Sequence, residues 1–253
     1  MSIAIETDSV KEKILSFLWQ HVLLTVSLFI MTFGVALSVR SGLGSSVIST
    51  IPFVMSLAGE AGRAPSLTIG EYTYLMNILL VVLQILILRR RFQMVQLFQL
   101  IIGFLFGFLL DMNMWLTSPI VCDTIIAQVI VQLLGCVVLA IGISFEIRCG
   151  SVTMPGEGIV VAINRATGRP FAKVKIGVDI SLVVIAVATG YLYFGTWQWQ
   201  VVGPGTLIAM IFVGAAVRYI DPKMGWFSKL LYYRPGFRRY VYGLARYIYR
   251  RFN

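Results

Sequence analysis

Groups able to bind or move charge are scarce inside the apolar sequence of this chain, and they gather at two places. At one of them Glu146 and Arg148 close a long apolar run, and Thr153-Met154-Pro155-Gly156-Glu157-Gly158 follows. Proline at a first helical turn, with glycine around it, fits a backbone that enters a helix abruptly. A carboxylate placed there faces the positive end of the helix. Glu157 is therefore the foremost candidate to bind or couple an ion. The competing readings are a buried capping carboxylate and a partner for Arg148. At the other place Arg40 closes a run and Ser45, Ser46, Ser49 and Thr50 follow. Arg40 and Arg148 beside two helix starts would make an anion pocket, whereas arginines at span ends also snorkel to lipid phosphates. Glu146 offers Arg148 some compensation. Asp179, which follows Lys173 and Lys175, fits either a structural ion pair or a solute contact. Ser45, Ser49 and Thr153 line a path or satisfy backbone groups freed where helices break. Asn77, inside another apolar run, is a candidate for the same lining. Charge at a helix centre costs roughly 2.5–3.5 kcal/mol on insertion scales, so each such residue is a functional candidate by default.

The sequence speaks against an enzyme. It has no G-x-S-x-G, Walker A or H-E-x-x-H pattern, and no nucleophile–base or metal set. His21 stands alone, and Cys122, Cys136 and Cys149 lack the spacing of a zinc site or a disulfide framework. No metal and no cofactor is expected.

The elements that must position these groups belong to a membrane protein. Hydrophobic residues make up 58% of the chain and charged ones 13%, against roughly 25% charged in soluble domains; the mean hydropathy is +0.86. Apolar runs at 14–39, 72–88, 95–114, 124–145, 176–194 and 201–217 approach or exceed the roughly 20 residues that a crossing needs.

The chain also repeats itself. Gly34 matches Gly142, Ser38 matches Glu146, Arg40 matches Arg148 and Gly42 matches Gly150, at one offset of about 108 residues. Ile69-Gly70 then matches Ile176-Gly177, and Gly107 matches Gly214. In each half a short element follows the arginine, at 44–57 and 153–166. As helix each would be about 21 Å long, less than the roughly 30 Å hydrocarbon core. If these elements dip in and return, each half holds three spans and the second half is inverted. That arrangement puts Arg89, Arg90, Arg91, Arg148, Arg165, Arg169, Lys173, Lys175 and the basic tail on the cytoplasmic side, as the positive-inside rule asks.

The expected fold is thus an all-α integral membrane protein with six transmembrane helices, two short re-entrant or half-helices, and two inverted structural repeats. Its parts are a cytoplasmic N-terminus (1–13), a first repeat (14–118), a second repeat (119–220) and a basic, aromatic cytoplasmic tail (221–253). Most of the net charge of +10 lies in that tail, where alternating rings and cations suit anionic lipid headgroups. No nucleic acid partner is expected, because no folded nucleic-acid module is present. Gly103 and Gly107 form a G-x-x-x-G that fits close helix contact and a homodimer face.

Gly42-Leu43-Gly44, Ile69-Gly70, Met154-Pro155-Gly156-Glu157-Gly158, Val174-Lys175-Ile176-Gly177-Val178-Asp179 and Val202-Gly203-Pro204-Gly205-Thr206 together resemble the YczE/YitT-type multi-spanning membrane proteins of bacteria, over roughly residues 20–220. The resemblance implies a bacterial cytoplasmic membrane and carries no catalytic assignment. The expected function is a transporter or channel for a small solute, anionic if the arginines serve it, with its site between the repeats. The alternative is a regulatory or lipid-interacting membrane partner that transports nothing.

Overall fold

The computed structural model describes residues 10–149 and 154–231. Nine α-helices account for most of these residues: α1 (Val10–Arg40), α2 (Thr50–Glu60), α3 (Ile69–Leu88), α4 (Phe98–Leu116), α5 (Ile125–Cys149), α6 (Pro155–Thr167), α7 (Phe171–Phe194), α8 (Pro204–Ile220) and α9 (Gly225–Leu231). Among the described residues five helical stretches are long and apolar enough to cross a membrane: Phe17–Arg40, Ile69–Arg91, Met94–Leu116, Ile125–Cys149 and Pro204–Ser228. The sixth expected crossing corresponds to α7, which is a continuous helix of 24 residues, about 36 Å at 1.5 Å per residue, but falls outside that set of five.

The two short elements are short in space as well. A 3-10 turn at Val47–Ser49 leads into α2, of 11 residues, and α6 has 13. Local sequence explains where they begin. After α1 the chain turns on Gly42 and Gly44, at φ of 71° and 121°. Gly44 is required twice over, because a Cβ there would also lie 2.5 Å from Thr206 Oγ1 and 2.7 Å from Gly203 N. Pro155 occupies the first turn of α6, where its missing N–H leaves no bond unmade.

The centre of the molecule is the crossing of α1 and α5. Ser27 meets Cys149, Met31 meets Gly142, Gly34 meets Gly135 and Leu139, and Ser38 meets Gln132. One number rises as the other falls, so the two helices run antiparallel. They approach so closely that a Cβ on Gly34 would lie 2.5 Å from Leu139 N, and one on Gly142 2.6 Å from Met31 N. Small residues of this kind let backbones meet where lipid provides no hydrophobic drive for association. Around this pair α4 packs on α1 and α8 on α5, α3 packs on α6 and α7 on α2, and the short helices touch their successors, α2 on α3 and α6 on α7.

One further contact stands by itself. α3 lies along α4, with Gly70 so near Gly107 that an added Cβ on either would lie within 2.5 Å of the other's carbonyl oxygen. The G-x-x-x-G of α4 is therefore used inside the chain, Gly103 facing Asn77 and Gly107 facing Gly70. α7 and α8 make no comparable contact. Among the described residues nothing lies within 4 Å of a Cβ built on Gly177 or Gly214. Buried positions on α8 are few, namely Gly205, Thr206 and Ala209. Elsewhere the surface is strongly apolar: Leu192, Ile211, Ile125 and Phe104 are all largely exposed, as suits side chains bathed by lipid.

Candidate functional site

The breaks after α1 and α5 each hold a buried polar knot. In the first, Gln132 of α5 receives the hydroxyls of Ser38 and Ser41 at its Oε1 (3.0 and 2.8 Å) and donates through Nε2 to the Gly205 carbonyl at 2.8 Å. Gly205 N donates to Leu43 O at 2.8 Å, and Ser45 N donates to Val201 O at 3.0 Å. The Ser45 hydroxyl reaches the same carbonyl at 3.2 Å. Ser49 Oγ lies 2.7 Å from Ser46 Oγ. These serines satisfy backbone and one another. They are the bonds that a helix break inside an apolar bundle requires.

The second knot is built from different groups. Gln84 of α3 donates through Nε2 to Gln99 Oε1 of α4 at 3.0 Å and to the Pro155 carbonyl at 3.2 Å. This amide pair holds the start of α6. A Cβ on Gly158 would fall 2.7 Å from Gln99 Oε1, so Gly158 admits the glutamines. On the α5 side, Met154 N donates to Glu146 Oε1 at 3.3 Å. The other carboxylate oxygen, Glu146 Oε2, is buried and has no hydrogen-bond partner among the described residues. Glu157 stands in the first turn of α6, half-buried. It follows Met154, which Glu146 holds, by three residues. At the base of α7, Lys175 donates to Asp179 at 2.7 Å.

The arginines stand apart from these groups. Arg148 turns toward the chain end: Nε donates to Asp221 Oδ1 at 2.9 Å, Nη1 to Ser228 Oγ at 2.7 Å, and Nη2 to the Asp221 carbonyl. It compensates neither Glu146 nor Glu157; it fastens α5 to the segment after α8. Arg40 donates through Nη2 to the Met114 carbonyl at 2.7 Å, and its buried Nε has no partner. Because α1 and α5 are antiparallel and each arginine ends its helix, the two lie at opposite ends of the pair and do not form one pocket. Asn77 is fully buried between α3 and α4, and neither its Oδ1 nor its Nδ2 has a partner. Thr153 lies outside the described residues, as does most of the basic tail.

Three glutamines and one aspartate complete these arrangements without having stood out as candidates. Gln84, Gln99 and Gln132 are polar residues within apolar runs, and that is the signal by which sequence could have found them. Asp111, near the end of α4, accepts from Thr68 Oγ1 at 2.6 Å and from Gly70 N at 2.8 Å. A carboxylate at the positive end of α3 thus ties that helix to α4. The start of α3 is further set by a capping box, in which Glu71 N donates to Thr68 Oγ1 and Thr68 N to Glu71 Oε2.

No curated protein and no solved structure is detectably similar to this chain. Residues 18–222 match a family described as being of unknown function, DUF6198. The match spans α1 to α8 and both polar knots, and the protein belongs to that family.

Proposed function

We propose that the protein is a small-solute transporter of the bacterial cytoplasmic membrane, made of two inverted repeats with α7 as its sixth crossing and α2 and α6 as half-helices. The likeness to YczE/YitT-type proteins favours the same membrane. The observation that carries the proposal is the unequal state of two matching helix pairs. The main contacts pair off between the halves: α1 on α4 and α5 on α8, α3 on α6 and α7 on α2, α2 on α3 and α6 on α7. The largest exception is α3 on α4, closed glycine to glycine through Gly70 and Gly107, whose counterpart at Gly177 and Gly214 stands open. Antiparallel α1 and α5 put the closed pair and the open pair toward opposite faces.

Alternating access needs this kind of inequality. One sequence pattern is present in a closed and an open form, and exchanging the two forms would move an access route from one face to the other. Asp111 latches the closed pair. By the repeat offset its place on α8 is taken by Arg218, which is exposed, and the place of Thr68 by Lys175, so the second half has no such latch.

The experiment is cross-linking across the open pair. With Cys122, Cys136 and Cys149 replaced by serine or alanine, Gly177→Cys and Gly214→Cys are introduced together and oxidised in native membranes. A disulfide needs Cα atoms within roughly 7 Å, so its formation reports closure. Cross-linking in a fraction of molecules is expected. A pair that never cross-links, with bifunctional reagents of short span as well as by oxidation, means that α7 and α8 stay apart and the transporter reading fails in favour of a membrane partner that moves nothing.

A further inference from the structure

We infer that Asn77 is the residue that recognises the solute, and that the solute is a small uncharged molecule carrying a planar amide or urea group. Delivery of a solute to this position rests on the transport reading above; its recognition there does not. Three buried polar residues share one face of α3: Thr73, Asn77 and Gln84. Thr73 Oγ1 donates to the Ile69 carbonyl at 2.7 Å, and Gln84 holds Gln99 and the Pro155 carbonyl. Asn77, between them, is the member left over. It is fully enclosed, and among the described residues neither Oδ1 nor Nδ2 has a partner. A buried amide left unbonded destabilises the fold, and the bilayer core supplies no water to relieve it. The fold does not require an amide here. By the offset that matches Gly70 with Gly177, the place of Asn77 on α7 is taken by Val184 and that of Thr73 by Ile180, both exposed. Opposite Asn77 stands Gly103, where an added Cβ would lie 3.0 Å from Nδ2; its place on α8 is taken by Met210. The amide and the glycine that admits it thus occur in one half only, on the helix pair that alternation would part. While α3 lies on α4 the amide is covered, and parting them uncovers it.

The class of solute follows from what the position offers. A carboxamide presents an acceptor and a donor side by side on one planar group. A second amide, or a urea, returns one bond to each. A carboxylate would accept from Nδ2 but set another acceptor against Oδ1, and an ammonium would leave Nδ2 unpaired. Nor is there a charge to neutralise an ion. The ionisable groups of α3 and α4, Glu71 and Asp111, are both committed to the start of α3. Toward α6 the flanking Met76 and Leu80 pack with Ile159 and Val160. An ion at Asn77 would be buried without a partner, which is far costlier than burying a neutral group whose bonds are made.

The test is thermal unfolding of the purified full-length protein titrated with acetamide or methylurea, with sodium acetate and glycerol as comparators. For each solute the readout is the shift of the wild type minus the shift of Asn77→Val, which gives α3 the residue that α7 has, so general solvent effects cancel. Either amide is expected to leave a difference of about 3–6 °C at ten times its dissociation constant, and the comparators none. No difference for either amide overturns the proposal, as does an equal difference for acetate or for glycerol. An amide that only supports the fold would change the melting temperature without solute and leave the solute shifts equal, which also overturns it. If Asn77→Val does not fold, Asn77→Ser decides by the same readout, because its hydroxyl can bond back to the Thr73 carbonyl and the planar pair is lost. Amide-specific shifts without an α7–α8 cross-link make Asn77 a binding site in a protein that moves nothing. A cross-link without the shifts leaves a transporter for another class of solute, so the two readings fall separately.

Discussion

Alanine substituted for glycine at matching positions of the two halves should have opposite effects. At Gly70 a Cβ would lie 2.1 Å from the Gly107 carbonyl oxygen and 2.5 Å from the Asp111 carboxylate. Both atoms are parts of the α3–α4 contact, and neither is the free end of a flexible chain, so the helices must part. Forcing extra volume into packed structure costs about 1–3 kcal/mol. The separation also strains the bond from Gly70 N to Asp111, and a hydrogen bond to a charged group is worth about 1.5–3 kcal/mol. A loss of about 2–5 kcal/mol is expected. At Gly177 nothing lies within 4 Å of the added carbon, so the helix should instead gain about 0.4–1 kcal/mol from the more restricted unfolded chain. In a chain of this size each kcal/mol shifts the melting temperature by about 2–4 °C. Gly70→Ala should therefore melt about 4–20 °C lower, while Gly177→Ala melts at or slightly above the wild type.

The assay is thermal unfolding in detergent, followed by the fraction that stays monodisperse. If Gly177→Ala destabilises as much as Gly70→Ala, α7 is packed on α8 in the resident protein and the unequal state of the two pairs is refuted. The same substitution has a second consequence. A methyl group at Gly177 obstructs any later closure onto Gly214, so cross-linking of Val178→Cys with Gly214→Cys should fall when Gly177 is alanine although stability has not. A variant as stable as the wild type but slower to close separates gating from folding.

Arg148→Ala should lower stability by about 1.5–3 kcal/mol, the worth of hydrogen bonds to a charged group. Arg148→Lys should not rescue it, because one ammonium cannot span Asp221 and Ser228 as a guanidinium does; thermal unfolding of both variants checks this. Asn77→Ala removes a buried amide that has no partner, so it should be neutral or stabilising by up to about 2 kcal/mol, and a clear fall in melting temperature would mean that the amide has bonds to make. Gln132→Leu removes its bonds to Ser38, Ser41 and Gly205, but Ser38 keeps the Gly44 carbonyl and Ser41 the Ser38 carbonyl, so at about 1 kcal/mol for each bond a loss of up to about 3 kcal/mol is expected in the same assay.

Much of the frame was legible because it rests on single-residue physics. Apolar runs and their length decide which segments suit a membrane, and a run of about 14 residues between glycines is too short for a crossing whatever surrounds it. Partners were less legible. Arg148 was read against Glu146 and Glu157, its neighbours in sequence, but its fork meets Asp221 and Ser228, which come beside it only because α8 runs parallel to α5. The G-x-x-x-G of α4 correctly predicted two backbones in contact; nothing in such a pattern says whether the second backbone is another copy or α3. Gln84, Gln99 and Gln132 passed unremarked because a neutral amide in an apolar run breaks the pattern less than a charge does, although each is among the most enclosed side chains in the protein. Asp111 lies near a span end, where a charge does not stand out. Depth measures what a charge costs, whereas its use here depends on what it faces, and it faces the start of α3.

The departure from symmetry at Ser38 and Glu146 bears on how a duplicated fold could switch. Two halves that trade conformations need states close in free energy, since driving an equilibrium from 1:99 to 99:1 takes about 5.5 kcal/mol. With hydroxyls and amides at both knots that balance would be insensitive to conditions. A carboxylate in one knot only, enclosed and with one oxygen unpartnered, adds to that half a penalty of several kcal/mol when ionised and relieves it when protonated. The penalty and the switching energy are of the same order. One proton would then be enough to decide which half is open, and a serine at position 146 should leave the protein folded but fixed in one state.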